Sequence, residues 1–364
     1  MDAYREAGVD YDVLDAAKRQ ALAAAAATHS NPGARGGVPI AAALGEPAFV
    51  FRIGNEVLAF VLECLGTKSL LAREYEDVTG NDRWAGVAYD TVAAIANDLC
   101  CVGALPLVVN AYFATGDAGF YTGNRRLDSL VAGWKRACDD AGAAWGGGES
   151  PTLAGLVSSS DIELAGSSVG RIPDGVEPIL GDGLESGDAI VLVSSTGLHA
   201  NGASLARRVA AELPEGLRTK LPSGRDFGDA LLDPAPIYVG LVEELLNRRI
   251  EVTYISHITG HGLRKLMRAR RELSYEIEAL PDVPEVLSYL VDSTGLDAAA
   301  AYGTFNMGAG LAVFCRDDGA EMVVQAAAAS GLSALVAGRV EAGPRGVHLK
   351  PIDVTYSGEQ LELR

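Results

Sequence analysis

Several short stretches of this chain set carboxylates, glycines and a basic or imidazole group close enough together to handle a phosphorylated ligand. Glu63-Cys-Leu-Gly-Thr-Lys68 follows Val57 to Leu62, an apolar run that reads as a strand. A carboxylate at a strand end, then Gly66, Thr67 and Lys68, gives a metal ligand, a turn, a hydroxyl and an ammonium, which suits a Mg²⁺-bound triphosphate. It is not a Walker loop, since GxxxxGKS/T is absent, and a solvated charged turn is the plainer alternative. Asp90, Asn97 and Asp98 interrupt a small, apolar segment that reads as a helix from about Asp90 to Val102. Positions 90, 94, 97, 98 and 101 share a helical face, so the carboxylates converge where a partner is needed and few basic residues are near in sequence. A bound Mg²⁺ would supply that charge; Asp90 also fits an N-cap, and Asp98 a salt bridge. In Trp145-Gly-Gly-Gly-Glu149, Gly147 and Gly148 permit close backbone approach to a ligand, with Glu149 as a metal or ribose contact. Glu163 reads as an ordinary exposed strand residue.

Two loops of the second half repeat one theme, strand, glycine loop, helix. Ala189 to Ser195 leads into Thr196-Gly-Leu-His-Ala-Asn-Gly202 and a helix from Ala203; Val252 to His257 leads into Ile258-Thr-Gly-His-Gly262 and a helix over Leu263 to Arg271. Such loops leave N–H groups at a helix N-terminus, where partial positive charge favours an anion. His199 and Asn201 in the first loop, and Thr259 and Gly260 in the second, are candidate ligand contacts; His199 could face an anion or move a proton near neutral pH. His257 and His261 are four apart, but Gly260 and Gly262 bracket His261, so they span a loop and make a poor zinc pair. Asn306 sits in a third glycine loop ahead of a strand over Leu311 to Phe314.

The elements that must carry these residues are those of a mixed α/β protein. The 364 residues suit about two domains. A hydrophobic fraction of 48% and a charged fraction of 21% are ordinary globular values, while 43 glycines point to many tight loops. A net charge of -18 argues against polymeric nucleic acid and anionic membrane surfaces. Five cysteines, with no CxxC pair, indicate neither a disulfide framework nor a zinc site and suit a reducing compartment. With no signal-like start and no long apolar run, the expectation is a soluble cytoplasmic protein. Helices are expected over Val13–Ala27 and Arg126–Ala141, a loop over Asn31–Val38, and strands over Leu107–Ala114, near Ala143 and over Ile162–Val169. The expected division is 1–172, 173–345 and a strand-forming extension, 346–364.

In this order the pieces resemble aminoimidazole ribonucleotide synthetase, the phosphoribosylformylglycinamidine cyclo-ligase family. Tyr4-Arg-Glu-Ala-Gly-Val-Asp-Tyr-Asp is similar to the family's opening signature, Gly66-Thr-Lys to the end of DGVGTK, and Asn97-Asp-Leu with Gly103-Ala-Leu-Pro to NDLxxxGAxP. Ala114-Thr-Gly, Gly147-Gly-Glu149, the two loops above and Thr304-Phe-Asn-Met-Gly-Ala-Gly310 extend the resemblance over almost the whole chain. It implies a two-domain synthetase fold with mixed sheets, a homodimer whose N-terminal sheets join, and small-molecule nucleotide substrates. The implied reaction is ATP-dependent ring closure of formylglycinamidine ribonucleotide. Glu63, Asp98 and Glu149 would hold Mg²⁺, Lys68 would contact phosphate, His199 and Asn201 would lie near the transferred phosphoryl, and Thr259 and Gly260 near the substrate phosphate. Gly66, Thr67, Asn97, Gly147, Gly148 and Asn306 would line the ATP and substrate sites. Other ATP-dependent phosphotransferases of this fold, such as thiamine-monophosphate kinase or the hydrogenase-maturation type, and a non-catalytic nucleotide-binding paralogue, are the alternatives. The chain departs from the pattern at Glu63-Cys64, where the family has Asp-Gly, at the reduced glycine stretch Gly36-Gly37, and at Leu22, where a lysine is expected and Lys18 stands a turn earlier.

Overall fold

The computed structural model describes residues 11–123 and 125–361; the opening segment 4–10 and the last three residues lie outside them. Strands β1 (Gly37–Pro39), β2 (Phe49–Ile53), β3 (Glu56–Cys64), β4 (Leu105–Thr115), β5 (Ala144–Glu149) and β6 (Ile162–Ile172) form one sheet in the order β1-β2-β3-β6-β4-β5. Strands β7 (Ala189–Ser194), β8 (Val252–His257), β9 (Leu273–Ile277), β10 (Ala309–Cys315), β11 (Ala334–Ala342), β12 (Gly346–Leu349) and β13 (Val354–Ser357) form a second, β13-β12-β9-β11-β7-β10-β8. Each sheet is antiparallel except for one pair, β4 with β5 and β12 with β9. Helices α1 (Tyr11–Ala26), α2 (Lys68–Thr79), α3 (Trp84–Cys100) and α4 (Arg126–Asp140) accompany the first sheet. Helices α5 (Ala203–Glu212), α6 (Phe227–Leu231), α7 (Val239–Asn247), α8 (Glu285–Thr294), α9 (Ala298–Tyr302) and α10 (Ala320–Ala329) accompany the second. This is the mixed α/β class that the alternation of elements implies.

Helix α3 joins the two halves of the core. Its sequence is small and apolar nearly all round, the composition of a helix with no solvent face, and most of its residues are buried. The Asp82 carboxylate accepts from the Trp84 N–H at 2.9 Å and opens the helix. Gly103, in the left-handed region at φ 81°, turns the chain after it. A Cβ on Gly133 of α4 would overlap the Ala85 carbonyl, so the contact between α3 and α4 needs glycine there. Val92, Ile95 and Leu99 pack into the core of the first sheet, while Ala96 and Cys100 belong to the cluster that α7 and α10 form with β7 and β10.

The two sheets differ in how their faces are covered. Strands β7 and β10 are buried almost end to end, as strands with apolar cover on both faces are. Strands β3 and β6 alternate: Val57, Ala59 and Val61 point inward, whereas Phe60 and Leu62, the latter 68% exposed, point out. Register places Phe49 opposite Phe60 and Phe51 opposite Leu58, extending an apolar outer face across β2 and β3.

Several local expectations change. Helix α3 begins at Trp84, so Asp90 lies inside the helix and is not its N-cap. The segment after Gly262 is a short 3₁₀ turn, Gly262–Met267, not a helix running to Arg271. The loop expected over 31–38 contains a 3₁₀ turn, Asn31–Arg35, and the start of β1. Four cysteines are buried free thiols, and Cys64 is exposed. Among the described residues no helix is long and apolar enough to cross a membrane.

The polar stripe of α3 finds protein partners. Asp90 pairs with Lys68 of α2 at 2.6 Å, both side chains 0% exposed, and its other oxygen accepts from the Ala235 N–H at 2.7 Å. Asn97 donates to the Pro236 carbonyl at 2.9 Å and accepts from the Tyr238 N–H at 2.8 Å. The charge that sequence reasoning assigned to a metal beside Asp90 is therefore supplied by Lys68. Asp90→Ala strands that ammonium in the core and should cost about 3–5 kcal/mol, read as a drop in the urea midpoint, with Lys68→Met/Asp90→Leu recovering most of it. A loss of only about 0–1 kcal/mol, the range of an exposed pair, would show that the pair is not buried as described.

Candidate functional site

The ends of β3, α3 and β8 meet at one cavity of about 390 Å³, a size that admits a small nucleotide-like ligand. Strand β3 contributes Glu63, inward-facing, and Cys64 at the rim; α3 contributes Asn97 and Asp98. The loop after β7 brings His199 and Asn201, and the loop after β8 brings Thr259, Gly260 and His261. Lys265 and Arg268, from the following 3₁₀ turn and its end, Lys18 of α1, Asp90 of α3 and Glu46 add charged groups to the wall. Seven of the residues singled out in the sequence, Glu63, Asn97, Asp98, His199, Asn201, Thr259 and Gly260, thus line one cavity although they are spread over nearly two hundred positions.

At its centre two acids share one proton. Burial, then the charge of Asp98 and a hydrogen bond to it, pushes the Glu63 carboxyl up to about 8, so Glu63 is largely protonated at neutral pH. Burial also raises Asp98, but the hydrogen bond and charge of His257, then Lys265 and Arg268, outweigh it and hold Asp98 below the usual carboxylate range. The His257 Nδ1 lies 2.6 Å from Asp98 Oδ1. His257, read above only as half of a poor zinc pair, is the residue that orients Asp98.

His199 adopts a left-handed backbone, φ 59°, in the turn after β7. Burial, then the positive charge of Lys68 and His257, lowers it far below the ordinary histidine value, so it is neutral at pH 7. The Thr196 N–H points at His199 Nε2 from 3.3 Å, and the Thr196 hydroxyl, also 3.3 Å away, donates to the Pro234 carbonyl at 2.6 Å. Nε2 must therefore be the bare nitrogen and Nδ1 the protonated one. Nδ1 is buried and has no partner among the described residues. The expectation that His199 titrates near neutral pH gives way to a fixed neutral donor.

The remaining expected residues lie elsewhere. Lys68 is held in the core by Asp90 and the Asp233 carbonyl, at 3.4 Å, and does not line the cavity. Gly66 turns at φ 68° and donates to Glu163 at 3.4 Å, while the Thr67 hydroxyl meets Ser204 of α5 at 2.8 Å. Gly147, Gly148 and Glu149 belong to exposed strand β5, away from Glu63 and Asp98. A Cβ on Gly148 would overlap the Ala111 carbonyl, so its glycine serves strand pairing. Asn306 uses Oδ1 for the Ser195 hydroxyl and the Gly308 N–H, and Nδ2 for the Gly197 carbonyl, which ties two loops together.

Mg²⁺ takes hard oxygen ligands and commonly keeps one or two carboxylates beside substrate phosphates and water. Among the described residues no group of three metal-ligating side chains gathers. Glu63 and Asp98 fit the smaller protein share of such an ion once Glu63 gives up its proton; Glu149 does not reach it. Sequence reasoning missed Lys265 and Arg268, which sit in a basic run read only as the helix after a glycine loop. The signal available was Lys265 lying between Leu263 and Leu266, two apolar positions three apart, directly after the Thr259-Gly260 loop.

Residues 45–172 match the family model described as AIR synthase related protein, N-terminal domain, and residues 185–350 its C-terminal domain. The chain is 31% identical over 326 residues to the phosphoribosylformylglycinamidine cyclo-ligase of Methanothermobacter thermautotrophicus, covering 87% of this chain and 89% of that one. It is 31% identical over 356 residues to the enzyme of the same name from Oceanobacillus iheyensis, covering 95% and 98%. Among solved structures, the hydrogenase maturation protein HypE of E. coli superposes with a TM-score of 0.59 at 20% identity, over 84% of this chain and 86% of that one. Thiamine monophosphate kinase from Aquifex aeolicus gives 0.56 at 17%, over 83% and 90%, and both likenesses speak to fold alone. With both of its halves matched and relatives of that identity spanning most of its length, the chain belongs to the AIR synthase-related family.

Proposed function

We propose that this protein closes the imidazole ring of aminoimidazole ribonucleotide, using ATP and formylglycinamidine ribonucleotide and releasing ADP and phosphate. The observation that carries the reading is the convergence of Glu63, Asp98, His199, Asn201, Thr259 and Gly260 on one cavity, in a chain similar to cyclo-ligases over most of its length. In the first step the formyl carbonyl oxygen attacks the γ-phosphorus and ADP leaves. In the second the internal amine attacks the activated carbon, its C–O bond to phosphate breaks, and a proton is lost. Both steps gain mainly from positioning and from neutralising phosphate charge.

The chain's own groups serve those needs. Bound between Glu63 and Asp98, Mg²⁺ would neutralise charge on the nucleotide phosphates. Asp98, anchored by His257, stays ionised and faces the cavity. His199 offers Nδ1–H to an oxygen that gains negative charge and does not act as an imidazolium acid. Asn201 and the Thr259-Gly260 turn contribute amide and backbone donors for oxygen atoms of the substrate.

The reading also includes a homodimer. The outer face of β2 and β3 exposes Phe49, Phe60 and Leu62 side by side, and exposed apolar neighbours of this kind suit a protein contact. A second copy seated sheet against sheet is the occupant that the family resemblance implies.

Incubated with Mg²⁺, ATP and formylglycinamidine ribonucleotide, the purified protein should form ADP and aminoimidazole ribonucleotide in equal amounts, and Asp98→Asn should lower kcat roughly 100- to 1,000-fold. No ADP above background would sink the assignment, and turnover appearing only in Glu63→Asp/Cys64→Gly would identify a paralogue that has lost the reaction. Light scattering after size exclusion should give twice the chain mass, and Leu62→Lys should shift it to the monomer; a monomeric wild type would refute the sheet-to-sheet pairing.

A further inference from the structure

Lys265 is a residue that no motif explains. It follows the Thr259-Gly260 turn within the 3₁₀ segment, is 8% exposed, and lines the cavity between that turn and the acids Glu63 and Asp98. Its backbone is pinned by the Ser256 hydroxyl, which donates to the Lys265 carbonyl at 2.8 Å. Its ammonium donates to the Thr259 hydroxyl at 2.7 Å, the single hydrogen bond it makes among the described residues. An ammonium carries three donors, and leaving two without acceptors in a buried site is costly. Burial and Arg268 push Lys265 down to about 8, outweighing Asp98 and Glu63, yet it remains mostly charged at pH 7.

The neighbours make that wall positive. Burial, then the charges of Lys265, Arg264 and Lys18, drives the adjacent His261 down to about 3, a sign that several cations act on one spot. Arg268 is tied back, donating to the Gly45 carbonyl at 3.1 Å with the Glu46 carboxylate 3.9 Å from its Nε, so its charge is partly offset and Lys265 is the cation left to meet a ligand. An acceptor with several oxygens and negative charge, entering beside Thr259, would satisfy what Lys265 lacks.

We infer that Lys265 joins Thr259, which the resemblance already places near the substrate phosphate, as the cation that receives the phosphomonoester of the substrate. This rests on the cyclo-ligase reading for the identity of the substrate, but not for the chemistry of the ligand.

The test uses Lys265→Met, which keeps the unbranched stem, one atom shorter, and removes its charge, with Lys265→Arg as the charge-retaining control. Lys265→Met should raise KM for formylglycinamidine ribonucleotide on the order of 10- to 100-fold, the value of a charge-assisted hydrogen bond, with KM for ATP and the melting temperature little changed. Toward the nucleoside that lacks the phosphate, wild type and Lys265→Met should be equal, and Lys265→Arg should recover part of the lost affinity. Ribose 5-phosphate, titrated calorimetrically without ATP, should bind wild type and not Lys265→Met. A variant that weakens nucleoside and nucleotide alike, or that raises KM for ATP instead, overturns the assignment. So does ribose 5-phosphate binding that Lys265→Met leaves intact or that wild type lacks. Loss of sugar-phosphate binding in Lys265→Met from a wild type with no cyclo-ligase turnover would uphold the receptor and reject the cyclo-ligase reading.

Discussion

The buried ion pair between Lys68 and Asp90 fixes the rest of this molecule. Such pairs add little net stability over an apolar core, because desolvating both charges offsets most of their attraction. Their effect is on registry. Asp90 holds Lys68 with one oxygen and the Ala235 N–H with the other, and Asn97, seven residues or about two turns on, grips Pro236 and Tyr238 in the same way. Helix α3 can then sit at only one height and one rotation against the segment 233–238. Asp98, the next residue round the helix, is thereby turned into the cavity and set 2.6 Å from His257 at the end of β8. A contact between a helix of the first sheet and a strand of the second thus depends on a salt bridge about two turns back along α3.

That placement sets the electrostatics. The chain carries a net charge of -18, yet acids and bases line the cavity in near-equal number, Lys18, Lys265 and Arg268 against Glu46, Asp90 and the central pair Glu63 and Asp98. The order of effects decides the protonation states. Desolvation raises both acids, but only Asp98 has a direct hydrogen bond from His257, so the single proton settles on Glu63. His199 is kept neutral first by its burial and then by the charge of Lys68. Surface charge says little about such a site, because its field comes from a handful of desolvated groups.

What could be read in the sequence was local. Glu63, Asn97, Asp98, His199 and the Thr259-Gly260 turn stand out because carboxylates in apolar segments and glycines after strands need a local reason. Residues whose partners lie on another element were not readable: Lys68 looked like a phosphate ligand, and its partner Asp90, on the next helix, looked like a metal ligand. The glycines of β5 misled for a related cause, since Gly148 is required by the Ala111 carbonyl on the neighbouring strand and not by a ligand. Strand β11 escaped notice altogether; Gly338 breaks its pattern, and only the approach of Glu276 on β9 explains that glycine. Lys265 was hidden by composition, one cation in a run of arginines, and distinguished only by the 3₁₀ turn that buries it.

The departure at Glu63-Cys64 divides along the pleat of β3. Successive side chains of a strand face opposite ways, so the two substitutions do not act on the same surroundings. Glu63 turns inward with Val57, Ala59 and Val61, and its added methylene is spent in reaching Asp98. Cys64 turns outward in line with Phe60 and Leu62, exposed at the rim. Whatever surface covers Leu62 must therefore also meet Cys64, and the thiol bears on that contact and on the cavity mouth more than on the reacting atoms. A change that looks like a single lesion in the motif is physically two, an altered acid inside and an altered edge outside, and only the first bears directly on the chemistry of the pair.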